Sequence, residues 1–585
     1  MNELKKLLRF ARPYKRLAIF SFVMLLAMVA LDLAVPRLVE RIIDEGIRRR
    51  DMGVVLGTAA LMLAISALST AATVLNSNSS IRVGEGVAKN LREELFGKIQ
   101  ALSYGDLDRF STGRLMVRLT SDAGAVQRVF QVSLRIGTRA PLSMIGSIIL
   151  MFVTSPALAA SMVPILLASA GLIVLFSARM EPRFRSVQQR LDRLNTILQE
   201  NIAGVRLVKA FARAGREEAR YAAANDELAE DTTRVQWLMS SMTPALTLLI
   251  NVGMVLVAWM GGLEAMEGKL SMGRLVAFAN YLLATLHPLT MMSQLSNTWA
   301  NGLASAKRVN EVLDIVPAVR DAEGAVDLPA DSPCAISFEG VGFGYDGDAG
   351  LRVLEAIDLE AEPGKTVAIL GATGAGKTSL VDLIPRFYDP SSGSVRIDGR
   401  DLRGLRQDSL LARVAIVPQE TVLFTGTVRD NIRYGRPEAG EAEVEEAEVE
   451  EAARAAQAHD FIMRLPRGYD SRVEERGCNL SGGQRQRIAI ARALVSKPRI
   501  LILDDSTSSV DVETETRIQE AIAEAARGCS VFVVAQRVST VLNADQILVL
   551  DEGRIVARGS HAELLGSSPV YREIFDSQLG GGLDA

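Results

Sequence analysis

The sequence Gly371-Ala-Thr-Gly-Ala-Gly-Lys-Thr378 follows directly on the apolar run Val367-Ala-Ile-Leu370. The run predicts a buried strand and the residues after Thr378 predict a helix, which is the context that a phosphate-binding loop requires. Glycines in such a loop allow backbone angles that point N–H groups at phosphate oxygens. The positive end of the following helix adds a favourable field for an anion. This segment therefore predicts an α/β nucleotide-binding domain.

Individual residues of this loop have distinct predicted roles. Lys377 can reach the β- and γ-phosphates of a nucleotide, and the Thr378 hydroxyl can ligate Mg²⁺. The predicted nucleotide-binding residues of this segment are Gly371, Thr373, Gly374, Ala375, Gly376, Lys377, Thr378 and Ser379.

A second apolar strand, Ile500-Leu-Ile-Leu503, ends in Asp504 and Asp505. An acid at the carboxyl end of a strand beside the phosphate loop supplies an oxygen ligand for Mg²⁺. The alternative is a pair of surface aspartates that end a strand. It is disfavoured because the polar residues 507–509 continue the site.

The segment Leu480-Ser-Gly-Gly-Gln484 lies between these two motifs and is followed by Arg485-Gln-Arg487. In this order with the phosphate loop, it resembles the signature motif of ABC (ATP-binding cassette) proteins. Physically it is a second helix start that can bind an anion through hydroxyl and backbone N–H groups. The resemblance implies that Ser481, Gly482, Gly483 and Gln484 contact the γ-phosphate of ATP held by the opposite domain of a dimer. Two ATP molecules would then lie between two nucleotide-binding domains.

Three further segments resemble motifs of this family, and their roles are implied by that resemblance. Tyr345 corresponds to the aromatic residue that stacks on adenine, with packing on its own domain as the alternative. Gln419 corresponds to the glutamine that senses Mg²⁺, ligates it and contacts the membrane helices. Ser509-Val-Asp511 corresponds to the loop through which two nucleotide-binding domains touch.

The chain of 585 residues is too long for one core, and 48% of its residues are hydrophobic, with a mean hydropathy of +0.18. Apolar runs are concentrated between about residues 16 and 300. A membrane span needs about 20 mostly apolar residues. Six spans are predicted, at 17–36, 53–75, 136–154, 157–178, 238–262 and 273–297. The sixth is the weakest because Arg274, Asn280, His287 and Gln294 interrupt it.

Charge distribution predicts how the chain crosses the membrane. The basic residues 1–16 lead into the first span without a signal-peptide cleavage site, and the connections at about 76–135 and 179–237 are rich in Arg and Lys. The positive-inside rule therefore places both termini and both long connections in the cytosol. The family resemblance implies that the membrane is a bacterial inner membrane. One loop disagrees, because the connection between spans one and two lies on the predicted outside yet is rich in arginine. Its charged residues are Arg37, Glu40, Arg41, Asp44, Glu45, Arg48, Arg49, Arg50 and Asp51.

Other features of composition narrow the function. The net charge of −4 is the sum of a basic N-terminal part and an acidic C-terminal part of the chain, and it predicts no nucleic-acid partner. Cys334, Cys478 and Cys529 lack metal-ligand spacing and suit a reducing cytosol. The acidic stretch Glu438–Glu451 is interpreted as a solvated helix surface.

The membrane half also carries family resemblance. Phe110-Ser-Thr-Gly-Arg-Leu115 with Arg118-Leu-Thr120 resembles the first cytosolic connection of ABC exporters, and Glu200–Phe211 resembles the second. The implied fold is a six-span α-helical membrane bundle with long cytosolic extensions, joined to an α/β nucleotide-binding domain of ABC type. The predicted limits are 1–315 for the membrane domain, 316–334 for a linker and 335–585 for the ATP-binding domain. The implied activity is ATP hydrolysis coupled to export, with ATP and Mg²⁺ as cofactors.

Two positions depart from the family pattern. Most members place glutamate directly after the Mg²⁺-binding aspartate, where it polarises the attacking water, and histidine after the next strand. This chain has Asp505 and Gln536. Aspartate withdraws the carboxylate by about 1.5 Å, and a misplacement near 1 Å can cost on the order of a hundredfold in rate. Gln536 cannot become cationic. With Gln419, these are the predicted catalytic residues, and they predict slow hydrolysis at a site that still binds ATP.

Since the signature is intact, the chain resembles the degenerate-site subunit of heterodimeric bacterial multidrug exporters. The predicted partner is a different half-transporter carrying the glutamate and the histidine, and the predicted substrate is a hydrophobic or amphipathic small molecule. Two alternatives stay open: a homodimeric lipid or lipopeptide flippase, and a regulatory subunit that does not transport.

Polar residues inside the spans could line a substrate cavity. Asp32 and Asn251 are both costly in a membrane. Asp32 could bind a cationic substrate or gate the outer end, or it could pair with an arginine of a neighbouring helix. His287 beside Pro288 could mark a kink.

Overall fold

A computed structural model describes residues 2–329, 331–345, 352–436, 445–506, 512–525 and 528–579. The chain forms two compact units. The first comprises Met1–Gln100 and Thr112–Ile315, and the second comprises Ala101–Ser111 and Val316–Ala585.

The first unit is built from helices. They are Asn2–Leu7, Lys15–Arg41, Met52–Gln100, Thr112–Val117, Ala123–Val132, Arg139–Thr154, Pro156–Ala203, Val205–Ala210, Ala214–Met266 and Met272–Leu313. A 3₁₀ segment, Leu8–Tyr14, precedes the second helix. Three π-helical turns continue the helical path, namely Ile42–Ile47, Arg118–Asp122 and Ser133–Gly137.

Five continuous helical runs in the described part of the chain are long and apolar enough to cross a membrane. They are Glu3–Ile47, Met52–Gln100, Thr112–Thr154, Pro156–Ala203 and Ala214–Met266, and they contain the first five predicted spans. The sixth lies on Met272–Leu313, a helix of 42 residues whose apolar stretch is broken by polar side chains. At about 1.5 Å per residue, helices of 42 to 53 residues exceed the roughly 30 Å hydrocarbon core. They therefore extend well beyond the membrane, as predicted.

The connection between the first two spans differs from the prediction. Arg37 and Arg41 lie on the helix Lys15–Arg41, so the expectation that they belong to a loop was wrong, while their position between the two spans stays a prediction. Ion pairs one helical turn apart, Arg37 with Glu40 and Arg41 with Glu45, favour helix in this stretch. Only residues 48–51 leave the helical path.

Asp32 pairs with a neighbouring helix. Its carboxylate accepts a hydrogen bond from Ser69 at 2.6 Å and forms an ion pair with Arg139 at 3.2 Å. Of the interpretations left open by the sequence, this contact favours pairing with an arginine over a free cation-binding carboxylate. Asn251 is exposed on its helix.

The second unit contains twelve strands in its described residues. They are β1 Ile336–Phe343, β2 Leu354–Ala361, β3 Thr366–Leu370, β4 Ser392–Ile397, β5 Arg400–Asp401, β6 Val414–Val417, β7 Gly426–Thr427, β8 Arg472–Val473, β9 Ile500–Asp504, β10 Ser530–Ala535, β11 Gln546–Asp551 and β12 Arg554–Gly559. Its helices are Tyr104–Asp108, Lys377–Asp382, Gln407–Leu411, Val428–Arg433, Glu446–Ala455, His459–Met463, Gly482–Leu494, Val512–Ala525, His561–Ser567 and Pro569–Leu579.

These strands form a parallel sheet and an antiparallel sheet. The six-stranded sheet has the order β12-β11-β3-β10-β9-β6 and is parallel apart from its edge strand β12. This is the predicted core. A four-stranded antiparallel sheet, β2-β1-β4-β5, was not predicted, nor was the small β7–β8 pair.

The parallel sheet brings four strand ends to one edge. β10 lies between β3 and β9, and β9 pairs with β6 on its other side. Since the carboxyl ends of parallel strands share an edge, the residues that follow these strands meet there. Those residues are Gly371, Gln419, Asp505 and Gln536.

Several sequence predictions fall outside the described residues. They concern the polar residues 507–509, the inter-domain loop Ser509–Asp511 and residues 438–444 of the acidic stretch; the side chain of His287 is also not described. The described part of the acidic stretch belongs to the helix Glu446–Ala455. There Glu448 pairs with Arg436 and Lys497, both at 2.7 Å.

Candidate nucleotide site

The phosphate loop is shaped by glycines at positions where a side chain would not fit. A Cβ on Gly371 would lie 2.2 Å from the carbonyl oxygen of Leu550, and Gly376 has a φ of +96°. Lys377 begins the following helix, and its ammonium donates to the carbonyl oxygens of Gly371 and Ala372, both at 2.8 Å. Burial lowers the pKa of Lys377, while the charges of Asp505 and Asp504 oppose that shift. The loop thus holds a cation at the centre of a backbone cradle.

The two predicted metal ligands on adjacent elements are in contact. The Thr378 hydroxyl donates to the Asp504 carboxylate at 3.0 Å. Asp504 is buried, and that burial raises its pKa, as does the charge of Asp505. A hydroxyl and a buried carboxylate at the end of a phosphate loop are the oxygen ligands that Mg²⁺ prefers. These residues therefore fit the ion that the sequence predicts.

Asp505 is bound by the other two predicted catalytic residues. The Gln536 side-chain amide donates to Asp505 Oδ2 at 3.1 Å, and the Gln419 amide donates to the same oxygen at 3.4 Å. Burial raises the pKa of Asp505, and the charges of Lys377 and Arg537 oppose that effect. The backbone at Asp505 has a φ of +44°. The carboxylate is thus oriented by two neutral amides on neighbouring strand ends.

A cavity of about 330 Å³ unites most of the predicted site. It is lined by Tyr345, Val353, Thr373, Gly374, Gly376, Lys377, Thr378, Ser379, Gln419, Asp504, Asp505, Val534 and Gln536. Ala375 is buried beneath the loop.

Tyr345 lies at this cavity with its side chain 48% exposed. Its hydroxyl hydrogen-bonds the Ser379 hydroxyl at 2.8 Å, and its ring makes edge contacts with Phe343 and Tyr388 at centroid distances of 5.0 and 5.3 Å. The ring thus packs on its own domain while part of it stays accessible. This arrangement is compatible with both interpretations of the sequence.

The signature residues form the start of the helix Gly482–Leu494. The Ser481 hydroxyl accepts from the Gln484 backbone N–H at 3.3 Å, and the Gln484 side chain accepts from the Ser481 N–H at 2.9 Å. Within the described chain, these residues are not among those lining the cavity. They constitute a separate exposed helix start.

Sequence reasoning missed an acidic and aromatic cluster beside the phosphate loop. Asp382 ends the loop's helix, and burial, followed by the charges of Asp504 and Asp108, raises the pKa of Asp382 to about 7. The Tyr388 hydroxyl donates to Asp108 at 2.7 Å, and the Tyr104 ring stacks on Phe387 at 3.9 Å. The aromatic pair 387–388 near the loop was the available signal.

Glu515 is a second residue that the sequence did not single out. It is buried, accepts from the Thr540 hydroxyl at 2.8 Å and lies 3.6 Å from Arg537. Its charge contributes to raising the pKa of Asp505. Its position depends on Thr540 and Arg537, which follow a different strand, so the sequence alone did not indicate that it lies near Asp505.

Comparison with known proteins agrees with this architecture. The family described as ABC transporter transmembrane region matches residues 18–289, and the family described as ABC transporter matches residues 354–508. The uncharacterized ABC transporter ATP-binding protein YfiB of Bacillus subtilis is 38% identical over 581 residues, covering 99% of each chain. This chain belongs to the ABC transporter family.

Two further relatives refine the assignment within ABC transporters. The ATP-dependent lipid A-core flippase of Syntrophus aciditrophicus is 34% identical over 579 residues, covering 99% of this chain and 95% of the relative. A solved structure of a bacterial Atm1-family ABC exporter with ATP bound superimposes with a TM-score of 0.80 at 29% identity, covering 96% and 99% of the two chains. This ABC transporter is therefore a multi-pass membrane protein with the exporter fold and an ATP-hydrolysing domain.

Proposed function

We propose that this chain is the degenerate-site subunit of a heterodimeric exporter that moves hydrophobic or amphipathic compounds out across a bacterial inner membrane. Its own phosphate loop retains ATP and Mg²⁺ and hydrolyses ATP slowly. Its signature completes the competent site of a different half-transporter. Both termini and the nucleotide-binding domain lie in the cytosol.

The contacts of Asp505 carry this proposal. A general base must point its carboxylate at the attacking water, yet one Asp505 oxygen is already bound by the amides of Gln536 and Gln419. Neither amide can supply the positive charge that stabilises a transferring phosphoryl group. The shorter carboxylate and the neutral neighbour both act against rapid hydrolysis.

The binding elements support retained nucleotide. Lys377 is held in the loop, and Thr378 and Asp504 are in contact and suited to Mg²⁺. The signature helix start retains its capping serine and both glycines. The phosphate loop and the signature thus both retain their binding residues, while the two departures from the family pattern are the carboxylate Asp505 itself and Gln536, which hydrogen-bonds it. A partner with glutamate and histidine would make the other composite site competent.

A homodimeric lipid flippase is the second candidate. It is supported by the 34% identity to a protein named for lipid A-core flipping. A non-transporting regulatory subunit is a third, weaker reading, because both cytosolic connections retain motifs that resemble those of exporters.

ATP hydrolysis by the purified chain in lipid tests the proposal, beside the double variant Asp505→Glu/Gln536→His. Both proteins are first checked for folding and nucleotide binding. We expect negligible turnover in the parent and recovery of about a hundredfold in the variant. The matched control, Asp551→Glu/Gln189→His, makes the same substitutions at exposed positions and should stay at the parent rate. Brisk turnover by the parent would replace the proposal with a homodimeric exporter.

A further inference from the structure

Arginines are concentrated around the turn between the first two spans. Arg37, Arg41, Arg48, Arg49 and Arg274 border an open cavity of about 770 Å³ in the first unit. Three carboxylates, those of Glu40, Asp44 and Glu45, border it as well. With five cations and three anions, the wall of this cavity has a formal charge of +2.

All three carboxylates have partners within the unit. Glu40 forms ion pairs with Arg37 at 2.7 Å and Arg274 at 3.3 Å. Asp44 accepts from the Ser271 hydroxyl and from the Gly273 N–H at 3.0 Å, and so caps the last long helix. Glu45 pairs with Arg41 at 3.1 Å. The acids therefore stabilise the local fold and leave part of the positive charge uncompensated.

The uncompensated charge belongs to the turn itself. Arg48, Arg49 and Arg50 are exposed, and across the described ranges no carboxylate lies within ion-pair distance of them. The shape of the turn depends on the close approach of buried Gly46 to Val55, where a Cβ would lie 2.5 Å from the valine side chain. The arginine side chains play no part in that contact. Arg50 has a φ of +55°, a conformation that favours glycine. Arg50 thus occupies a backbone conformation that is unfavourable for a residue with a side chain.

Exposed apolar side chains adjoin the arginines. Ile47, Met52 and Leu56, on either side of the turn, are 62%, 69% and 65% exposed. A positively charged cavity next to accessible apolar surface is complementary to an amphiphile with an anionic head. The positive-inside rule does not account for these arginines, because the proposed topology places the turn on the non-cytosolic face.

We propose that this arginine turn binds the phosphate headgroup of an anionic lipid. Arg48 and Arg49 donate charge-assisted hydrogen bonds to the phosphate oxygens, and guanidinium groups suit this because their paired N–H groups match phosphate geometry. The acyl chains lie along Ile47, Met52 and Leu56. This inference rests on the proposed function for its topology, which places the turn on the non-cytosolic face, and it assigns a lipid-binding site to that face.

The test measures lipid binding directly, without nucleotide, in the full chain purified in detergent. Dioctanoyl phosphatidylglycerol is titrated against the parent and against Arg48→Gln/Arg49→Gln, with dioctanoyl phosphatidylcholine and inorganic phosphate as the other probes. At about fivefold per arginine near an anionic headgroup, the double variant should bind phosphatidylglycerol roughly twentyfold more weakly. Both residues are exposed, so the variant is expected to fold.

The matched control is Arg213→Gln/Arg216→Gln, an exposed pair that also removes two charges from the first unit. It should bind phosphatidylglycerol within twofold of the parent. Equal weakening by both variants, equal affinity for phosphatidylcholine, or inorganic phosphate competing as strongly as the lipid would each overturn the proposal. Because hydrolysis plays no part, slow or brisk ATP turnover decides the proposed function separately.

Discussion

The two halves of the predicted ATP-binding machinery differ in charge and in burial. The phosphate-loop half, defined by Lys377, Thr378, Asp504, Asp505 and Gln536, places charged groups in a partly desolvated cavity at the ends of parallel strands. The signature half, Ser481–Gln484, is an exposed helix start whose groups are neutral and satisfy one another through a reciprocal cap.

That difference explains where a sequence change can alter chemistry without destroying binding. In the phosphate-loop half, the predicted phosphate-binding residues are distinct from Asp505 and Gln536, whereas Gln419 is a predicted Mg²⁺ ligand that also hydrogen-bonds Asp505. Substitutions at 505 and 536 are therefore expected to change hydrolysis more than nucleotide binding. In the signature half, the hydroxyl and N–H groups that cap the helix are also those predicted to face the anion, so a substitution there is expected to affect both roles. The following experiments test this contrast, from the largest expected effect to the smallest.

Replacing Lys377 with alanine should lower the affinity for ATP by at least about a hundredfold. Loss of charge-assisted contacts to the phosphates is worth about 3 kcal/mol, which corresponds to that factor. Equilibrium binding of a fluorescent ATP analogue measures the effect. Lys365→Ala is the control, because its ammonium pairs with Asp545 at 2.9 Å on the surface. Ser481→Ala should leave the ATP affinity within twofold of the parent. If Ser481→Ala lost as much affinity as Lys377→Ala, the two halves would not differ in the way described above.

Ser481→Ala should lower ATP hydrolysis by the transporter, purified from its own membrane, about tenfold. Asp505→Asn should change it less than threefold. In the proposed heterodimer, the serine serves the partner's competent site, whereas Asp505 serves the slow one. Ser560→Ala controls for the lost helix cap, worth about 1 kcal/mol, because Ser560 and Glu563 form the same reciprocal cap elsewhere in the unit. If Asp505→Asn proved as damaging as Ser481→Ala, this chain would carry the competent site.

The stability of the folded protein should depend on pH through Asp382, which lies on the helix that follows the phosphate loop. The folded-state pKa of Asp382 is raised to about 7, above an unfolded value near 4, so the folded protein binds the extra proton. Stability should therefore fall as the pH rises from about 4 to about 7, by at most about 1.4 kcal/mol per pH unit, and level off above. Thermal unfolding without nucleotide or Mg²⁺ measures this profile. Asp382→Asn should reduce this slope and leave the contribution of Asp504 and Asp505, whose pKa values are also raised, whereas exposed Asp551→Asn should not change it. A slope unchanged in Asp382→Asn would refute the assignment.

The smallest effect is expected at Tyr345. If its ring stacks on adenine, Tyr345→Ala should weaken ATP binding about fivefold, at the lower end of base–aromatic stacking of about 1 to 3 kcal/mol. Tyr345→Phe keeps the ring and loses only the bond to Ser379, so its affinity should stay within threefold. Equal losses in both variants would assign the tyrosine to packing on its own domain.

How far the sequence predicted this molecule depended on whether a signal was local. The phosphate loop, the signature and the first five spans are continuous segments with fixed patterns, so the fold class followed from them and is confirmed. The strands of the antiparallel sheet β2-β1-β4-β5 lie close together in sequence, within residues 336–401, but bulges in β1 interrupt the apolar alternation that would predict a half-buried strand. The helical extension through Arg37 and Arg41 was missed because charged residues were taken to end the span, although their i,i+3 and i,i+4 pairing favours helix.

The candidate site shows the same limit. Asp505, Gln536 and Gln419 were each singled out from the sequence, but their convergence on one carboxylate oxygen depends on strand order. Asp382 carried no pattern at all, because its raised pKa arises from burial and from carboxylates contributed by residues 108 and 504. Their catalytic and binding roles stay predictions that the experiments above address.

The pairing of helices Pro156–Ala203 and Ala214–Met266 has a mechanical consequence. At about 1.5 Å per residue they are rods of roughly 72 and 80 Å, joined at one end through the short helix Val205–Ala210. Arg190 ties the rods together through Asp231 and Glu227. Because the two helices are joined at one end and linked by these ion pairs, one helix cannot easily bend near Arg190 without the other. Displacement of the short helix Val205–Ala210 would therefore move the ends of both long helices together, because Arg190 links them near that end.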